Sequence, residues 1–271
     1  MTRNPLIDAA RLQTLLDARP RPVVLDVRWR LGGPSAREEY ASGHVPGALF
    51  LELDLDICGP PGAGGRHPLP DPAHLQAVLR RVGLDDDSTV VVYDGGDGMA
   101  AARTWWTLRW AGLDEVYVLD GGYPAWDGPV SIEHPIPVPG SAVVRPGGMP
   151  TVDADGAADL ASQGRLVDVR TAERYRGETE PIDPVAGHIP GAVNLPGFET
   201  ADGRFASPDL LRERYQGLPQ GRVGAYCGSG VAAARTVLAM SVAGLDPVLY
   251  VGSWSEWLTD PRREIAVGPN A

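Results

Sequence analysis

Cys227 stands where a strand-like run, Arg222-Val223-Gly224-Ala225-Tyr226, gives way to Gly228-Ser229-Gly230-Val231 and then to a helix-forming stretch, Ala232 to Met240. A cysteine so placed has backbone N–H groups and a helix N-terminus directed at its sulfur, which stabilises a thiolate and any anion bound beside it. A cysteine that only packs has no use for glycines that let amides converge on it. Cys227 is therefore expected to be a nucleophile, with Gly228, Gly230 and Val231 forming the cradle for its substrate. The second cysteine, Cys58, is followed by Gly59-Pro60-Pro61, with neither a glycine nest nor a helix start, and is expected to be a packing residue. With two cysteines, no Cys-x-x-Cys and no histidine cluster, neither a disulfide framework, a metal site nor a cofactor is expected.

The elements that must position Cys227 are written twice in the chain. Val24-Leu25-Asp26-Val27-Arg28 recurs as Leu166-Val167-Asp168-Val169-Arg170, and Gly43-His44-Val45-Pro46-Gly47-Ala48 as Gly187-His188-Ile189-Pro190-Gly191-Ala192. Further on, Val91-Val92-Tyr93-Asp94-Gly95-Gly96 is matched by Gly224-Ala225-Tyr226-Cys227-Gly228-Ser229, and each is followed by Ala-Ala-Ala-Arg-Thr. Within each copy short β-branched runs alternate with stretches of helical period, predicting an α/β fold of two tandem domains, each a mostly parallel sheet flanked by helices. Domains over 1–128 and 151–271 are expected, joined by a proline-rich linker over 129–150 that can hold neither a helix nor a central strand. Asp94 stands where Cys227 stands in the other copy, so the first domain is expected to be a scaffold without a nucleophile. His44 and His188 occur in both copies, including the one lacking the cysteine, and are expected to be structural.

A chain of 271 residues with 43% hydrophobic content and seven tryptophans can bury two cores. A formal net charge of −11 argues against a nucleic-acid surface, and an anionic substrate must then be held by local dipoles and a few arginines. The first nineteen residues are charged throughout, and no run approaches a membrane span, so a cytoplasmic protein without membrane contact is expected.

Gly-His-Ile-Pro-Gly-Ala after an Asp-x-Arg strand, Cys227-Gly228-Ser229-Gly230-Val231 at a helix start, and an inactive first copy together resemble the two-domain sulfurtransferases of the rhodanese superfamily, over nearly the whole chain. The resemblance implies a ping-pong transfer of sulfane sulfur. A small anionic donor loads Cys227 as a persulfide, and a thiol acceptor such as thioredoxin or a small thiol, or cyanide, unloads it. The Gly-Ser-Gly-Val loop is similar to the branch that uses 3-mercaptopyruvate, whereas the thiosulfate branch, the alternative, carries basic residues directly after the cysteine. A thiosulfate dianion would gain from cations at the loop, and Gly228 and Ser229 supply none, while the enolate released from a carbon–sulfur donor needs a proton.

The same resemblance implies a relay of Ser229 with His67, from Gly65-Arg66-His67-Pro68, oriented by Asp56, from Leu53-Asp54-Leu55-Asp56, with Asp54 the alternative. It also implies a substrate-binding Arg174, whose planar fork suits a carboxylate. One departure follows in Glu180-Pro181-Ile182-Asp183, where mercaptopyruvate enzymes of the animal type place a second arginine at the position of Ile182; Arg176 is the nearby candidate to replace it. A cysteine phosphatase would need an arginine six residues after the nucleophile, where Ala233 stands, with Arg235 two places too late. A tandem docking module without catalysis would explain Asp94 but not the retained Cys227 loop.

Overall fold

The structure is a computed structural model that describes residues 4–197 and 202–269. Contacts divide these residues into two units, the first comprising 4–59, 70–149 and 202–205, the second 60–69, 150–197 and 206–269. In the first unit the elements are β1 (Leu6–Ile7), α1 (Ala9–Asp17), β2 (Val23–Asp26), α2 (Arg37–Ser42), β3 (Leu49–Phe50), a single wide helical turn (Leu53–Ile57), α3 (Pro72–Arg81), β4 (Val90–Tyr93), α4 (Met99–Trp110) and β5 (Val116–Leu119). The second unit repeats them as β6 (Thr151–Val152), α5 (Ala154–Ser162), β7 (Leu166–Asp168), α6 (Ala172–Tyr175), β8 (Val193–Asn194), α7 (Pro208–Tyr215), β9 (Val223–Tyr226), α8 (Val231–Val242), β10 (Pro247–Tyr250) and α9 (Ser253–Trp257). The sheets run β1-β5-β4-β2-β3 and β6-β10-β9-β7-β8, the same order in both units, and every pairing is parallel. The expected pair of parallel α/β domains is thus observed.

Local chemistry sets the elements. Asp71 caps α3 by accepting the Ala73 and His74 N–H groups ahead of Pro72, and Ser207 does the same for α7 ahead of Pro208, each proline filling a first-turn position that needs no donor. The middle strands β4 and β9 are buried along their whole length, as strands covered by helices on both faces must be. In β9 the covering is tight at Gly224, where a Cβ would come within 2.8 Å of Leu160 of α5. Helix α8 is apolar nearly all round, and Val237 and Leu238 are fully buried, each contributing about 2 kcal/mol of burial.

The repeated motifs form a brace in each unit. Arg28 Nη2 donates to Asp26 (2.6 Å) and to the Gly43 carbonyl (2.8 Å); Arg170 Nη2 donates to Asp168 (2.6 Å) and to the Gly187 carbonyl (2.6 Å). The histidine that follows each glycine donates Nδ1–H to a tyrosine carbonyl and stacks on that tyrosine's ring, His44 on Tyr40 and His188 on Tyr175. Both imidazoles are fully buried, and burial pushes the His188 pKa down, so it stays neutral. These bonds and stacks make both histidines part of the brace.

Residues 129–149 run along the first unit without a named strand or helix. Ser131 bridges to His44, and the Gly140, Ala142, Arg145 and Gly148 N–H groups donate to Arg80, Leu84, Ala111 and Trp110 carbonyls. Among the described residues, no helix is long and apolar enough to cross a membrane.

Candidate active site

β9 ends at Tyr226 and α8 begins at Val231, so the chain must turn within the four residues 227–230. Gly230 takes the left-handed conformation (φ 81°) that a side chain would resist, and this turns its N–H onto Cys227 Sγ at 3.1 Å. The sulfur therefore sits at the N-terminus of a twelve-residue helix, in the field that favours an anion there. Cys227 is only 4% exposed, and Val231 is buried beside it at the start of α8.

A second turn holds this loop from outside. The Cys227 N–H donates to Ser253 Oγ (3.1 Å), the Cys227 carbonyl accepts from Trp254 N–H (3.0 Å), and the Gly228 carbonyl accepts from Ser255 N–H (2.9 Å). Ser253 adopts φ 55°, alone among the described non-glycine residues in the left-handed region, and its hydroxyl also donates to the Tyr250 carbonyl. A non-glycine residue is kept in that conformation only where its surroundings over-determine it, as these bonds do.

The same turn receives residues 60–69, a segment from the first sequence repeat that belongs to the second unit. Gly62 and Gly65 exchange N–H and carbonyl bonds at 2.9 Å, and the Arg66 N–H donates to Ser255 Oγ (3.0 Å). Gly65 (φ 95°) must be glycine twice over, because a Cβ would also lie 2.7 Å from the Gly252 carbonyl oxygen. So anchored, the segment delivers His67, whose Nδ1 lies 2.7 Å from Ser229 Oγ with both side chains buried. The structure thus brings together Cys227, Ser229 and His67, residues 162 positions apart in the case of the His67–Ser229 pair.

Arg174 is brought to the same loop by α6. Its Nε and Nη2 form a fork on Glu180 (3.0 and 2.7 Å), and Nη2 also reaches Asp183 (3.2 Å). Glu180 accepts the Ile182 and Asp183 N–H groups as well, and its pKa is held below the usual carboxylate range by the Arg174 bonds and those amides, against the opposing effect of burial. Two residues absent from the expected site complete the cluster. Arg66 forms an ion pair with Asp183, itself 1% exposed, and Arg66 Nη2 lies 2.8 Å from the position a Cβ would take on Gly228, with Arg174 Nη2 at 3.5 Å. Cations therefore do stand at the loop, supplied by distant segments instead of by the residues after Cys227. Arg176, the nearby candidate to replace an arginine at 182, turns to Glu178 instead.

Asp56 lies in the first unit on the turn 53–57, where Oδ1 accepts from Arg81 (2.6 Å) and Oδ2 from the Glu52 N–H (2.8 Å); Asp54 accepts from the Trp29 indole (3.0 Å). Cys58 is buried, and burial pushes its thiol pKa up, as befits a packing residue. Among the described residues no cluster of His, Cys, Asp and Glu could hold a metal ion.

The first unit shows the same loop filled. Asp94 Oδ1 accepts the Gly96 and Gly98 N–H groups (2.9 and 3.2 Å) and Oδ2 accepts the Ala101 N–H (3.0 Å) in the first turn of α4. Helix-opening Gly98 follows Asp94 by four positions, whereas Gly230 follows Cys227 by three, so the inactive loop is one residue longer. Burial, joined by the nearby Asp97, outweighs those three N–H bonds and pushes the Asp94 pKa up to about 6. A native pKa above the unfolded value means that the unfolded chain binds fewer protons between about pH 4 and pH 6, so stability falls as pH rises through that window. Asp94→Asn removes the titration. The stability difference between wild type and variant, measured by urea unfolding, is expected to move by about 2 kcal/mol against the wild type from pH 4 to pH 7. A difference independent of pH would show that Asp94 is ionised throughout.

A family model described as "Rhodanese-like domain" matches residues 8–128 and 153–260. The chain is 45% identical, over 99% of its length and all of the other protein's, to a protein of Pseudomonas aeruginosa named probable 3-mercaptopyruvate sulfurtransferase. It is 43% identical, over 97% of both chains, to a Mycobacterium tuberculosis protein named putative thiosulfate sulfurtransferase SseB. Among solved structures it is similar to SseA from Escherichia coli, a 3-mercaptopyruvate sulfurtransferase, with a TM-score of 0.80 and 28% identity over 93% of this chain and all of that one.

Proposed function

This chain belongs to the rhodanese family, and from that premise we propose that it is a sulfurtransferase that takes sulfur from 3-mercaptopyruvate onto Cys227 and passes it to a thiol or to cyanide. The observation that carries the reading is the Cys227 sulfur at the head of α8, receiving the Gly230 N–H, with the buried His67–Ser229 pair on the same loop. The Cys227 thiolate attacks the donor's sulfur, the donor's carbon–sulfur bond breaks, and its electron pair leaves as the enolate of pyruvate. Protonation of that enolate at carbon gives pyruvate and leaves Cys227 as a persulfide. An acceptor thiolate, from thioredoxin or a small thiol, or cyanide, then attacks the outer sulfur and releases the Cys227 thiolate. The helix N-terminus and the Gly230 N–H stabilise negative charge on sulfur before and after each transfer.

Ser229, linked to His67, is the proton donor to the enolate, since a hydroxyl bonded to an imidazole can give up a proton and recover it. The role of Asp56 in orienting His67 rests on the family motif. A cytoplasmic location suits a catalytic thiol that must stay reduced. Thiosulfate is the second reading, favoured by the two guanidinium groups over Gly228. Mass spectrometry after incubation with each donor tests both: a gain of one sulfur atom on the Cys227 peptide from 3-mercaptopyruvate supports the first, and a gain from thiosulfate alone the second. No gain from either would overturn the sulfurtransferase reading.

Arg174 has a fork already aimed by Glu180 and Asp183, and its expected partner is the donor's anionic group. Losing one charge-assisted contact costs about 2 kcal/mol, so Arg174→Ala is expected to lower kcat/KM for the donor more than tenfold. Steady-state rates over a range of donor concentrations check this, and an unchanged kcat/KM with both donors would remove Arg174 from the site.

A further inference from the structure

The segment that carries Arg66 has anchors besides that side chain. They are the Gly62–Gly65 bridge, the Arg66 main-chain N–H on Ser255 and the Thr259 hydroxyl on the Ala63 carbonyl, and none of them uses the guanidinium. Part of the guanidinium's work is to offset Asp183, because Arg174 is shared with Glu180. The Arg66 Nε is buried and, among the described residues, has no hydrogen-bond partner, an arrangement unusual for a group worth satisfying. The remaining feature is its place: Nη2 fills the space directly over Gly228, the residue after the nucleophile, and the side chain keeps 26% of its surface exposed. Gly228 is not in the left-handed region, so what its missing Cβ provides is room for this approach.

On the sulfurtransferase reading, we propose that Arg66 is a specificity-determining residue that grips the donor's anionic group together with Arg174, supplying from segment 60–69 the second guanidinium that residue 182, an isoleucine, does not. Asp183 bridges the two forks and fixes their spacing, bonding Arg66 on one side and Arg174 on the other. Two guanidinium groups that each bring an Nη2 to the same side of Gly228 suit a carboxylate or another oxyanion better than a neutral ligand. Once the donor has left as pyruvate or sulfite, no donor anion remains over Gly228 for the two guanidinium groups to meet, so they act in loading Cys227 and not in unloading it.

The two half-reactions therefore separate the roles. Arg66→Gln and Arg66→Lys are each loaded in single turnovers over a range of 3-mercaptopyruvate and thiosulfate concentrations, and sulfur gain on Cys227 is followed by mass spectrometry. The wild-type persulfide and those of both variants are then discharged with cyanide. The half-saturating donor concentration is expected to rise about tenfold in Arg66→Gln and less in Arg66→Lys, which keeps the charge but loses the fork, with discharge unchanged in both. Arg66→Lys also keeps a cation against Asp183, so it carries the test if the glutamine variant does not fold. Wild-type half-saturation in the folded variants, or discharge slowed as much as loading, would overturn the assignment. A wild-type protein that gains no sulfur from either donor would overturn the sulfurtransferase reading instead.

Discussion

Cys227→Ser is expected to gain no sulfur from any donor and to show no turnover, while Cys58→Ala keeps wild-type activity. A hydroxyl at position 227 would receive the same Gly230 N–H and the same helix field, but a serine hydroxyl stays protonated where a thiol can ionise, and oxygen does not form the persulfide on which both half-reactions depend. Cys58 cannot stand in, because burial pushes its thiol pKa up and neither a glycine nest nor a helix start follows it to favour the thiolate. Intact mass and peptide mapping after donor treatment are the measurements. Sulfur retained by Cys227→Ser, or lost by Cys58→Ala, would relocate the carrier.

The second large effect is expected to discriminate between donors. Ser229→Ala and His67→Ala each break the 2.7 Å bond between Oγ and Nδ1 and are expected to lower turnover of 3-mercaptopyruvate by about a hundredfold, the scale of general acid–base assistance. Thiosulfate should be affected far less, because it releases sulfite, which needs little help from a proton, and the Gly230 N–H and the helix start remain. Parallel kcat measurements with the two donors decide the matter. Equal losses would mean that the pair shapes the loop without supplying a proton, and no loss would take it out of the chemistry.

What the sequence made legible was whatever depends on near neighbours. The Asp-x-Arg and Gly-His motifs could be read as structural because each recurs in a copy without a nucleophile, and the brace from Arg170 to Asp168 and Gly187 explains why all three persist together. Cys227 could be read from a strand, a glycine turn and a helix that are contiguous. Arg66 could not. It meets Asp183 across 117 positions, and nothing in its own neighbourhood distinguishes it from a solvated charge. The one available signal was Ile182, which pointed to Arg176 by proximity, while the structure brings the Arg66 guanidinium over Gly228 from another segment. The turn at 252–255 was hidden for the same reason, since its importance lies in what it bonds: the nucleophile loop on one side and Arg66 on the other. Asp56 was placed by motif order, and the bonds the structure gives it within its own unit are to Arg81 and Glu52.

The loop around Asp94 bears on how the two halves of a duplicated chain came to differ for good. A carboxylate there satisfies the same kind of helix-start amides that a bound anion would, so the first copy carries its own permanent occupant. The extra residue between Asp94 and Gly98 fits the longer reach of a carboxyl side chain, and a cysteine introduced at 94 would meet a loop cut to the wrong length. A loop like that of Cys227 would need both a substitution at Asp94 and the loss of one residue before Gly98. The second copy is then the one whose helix-start amides stay open to an anion beside Cys227.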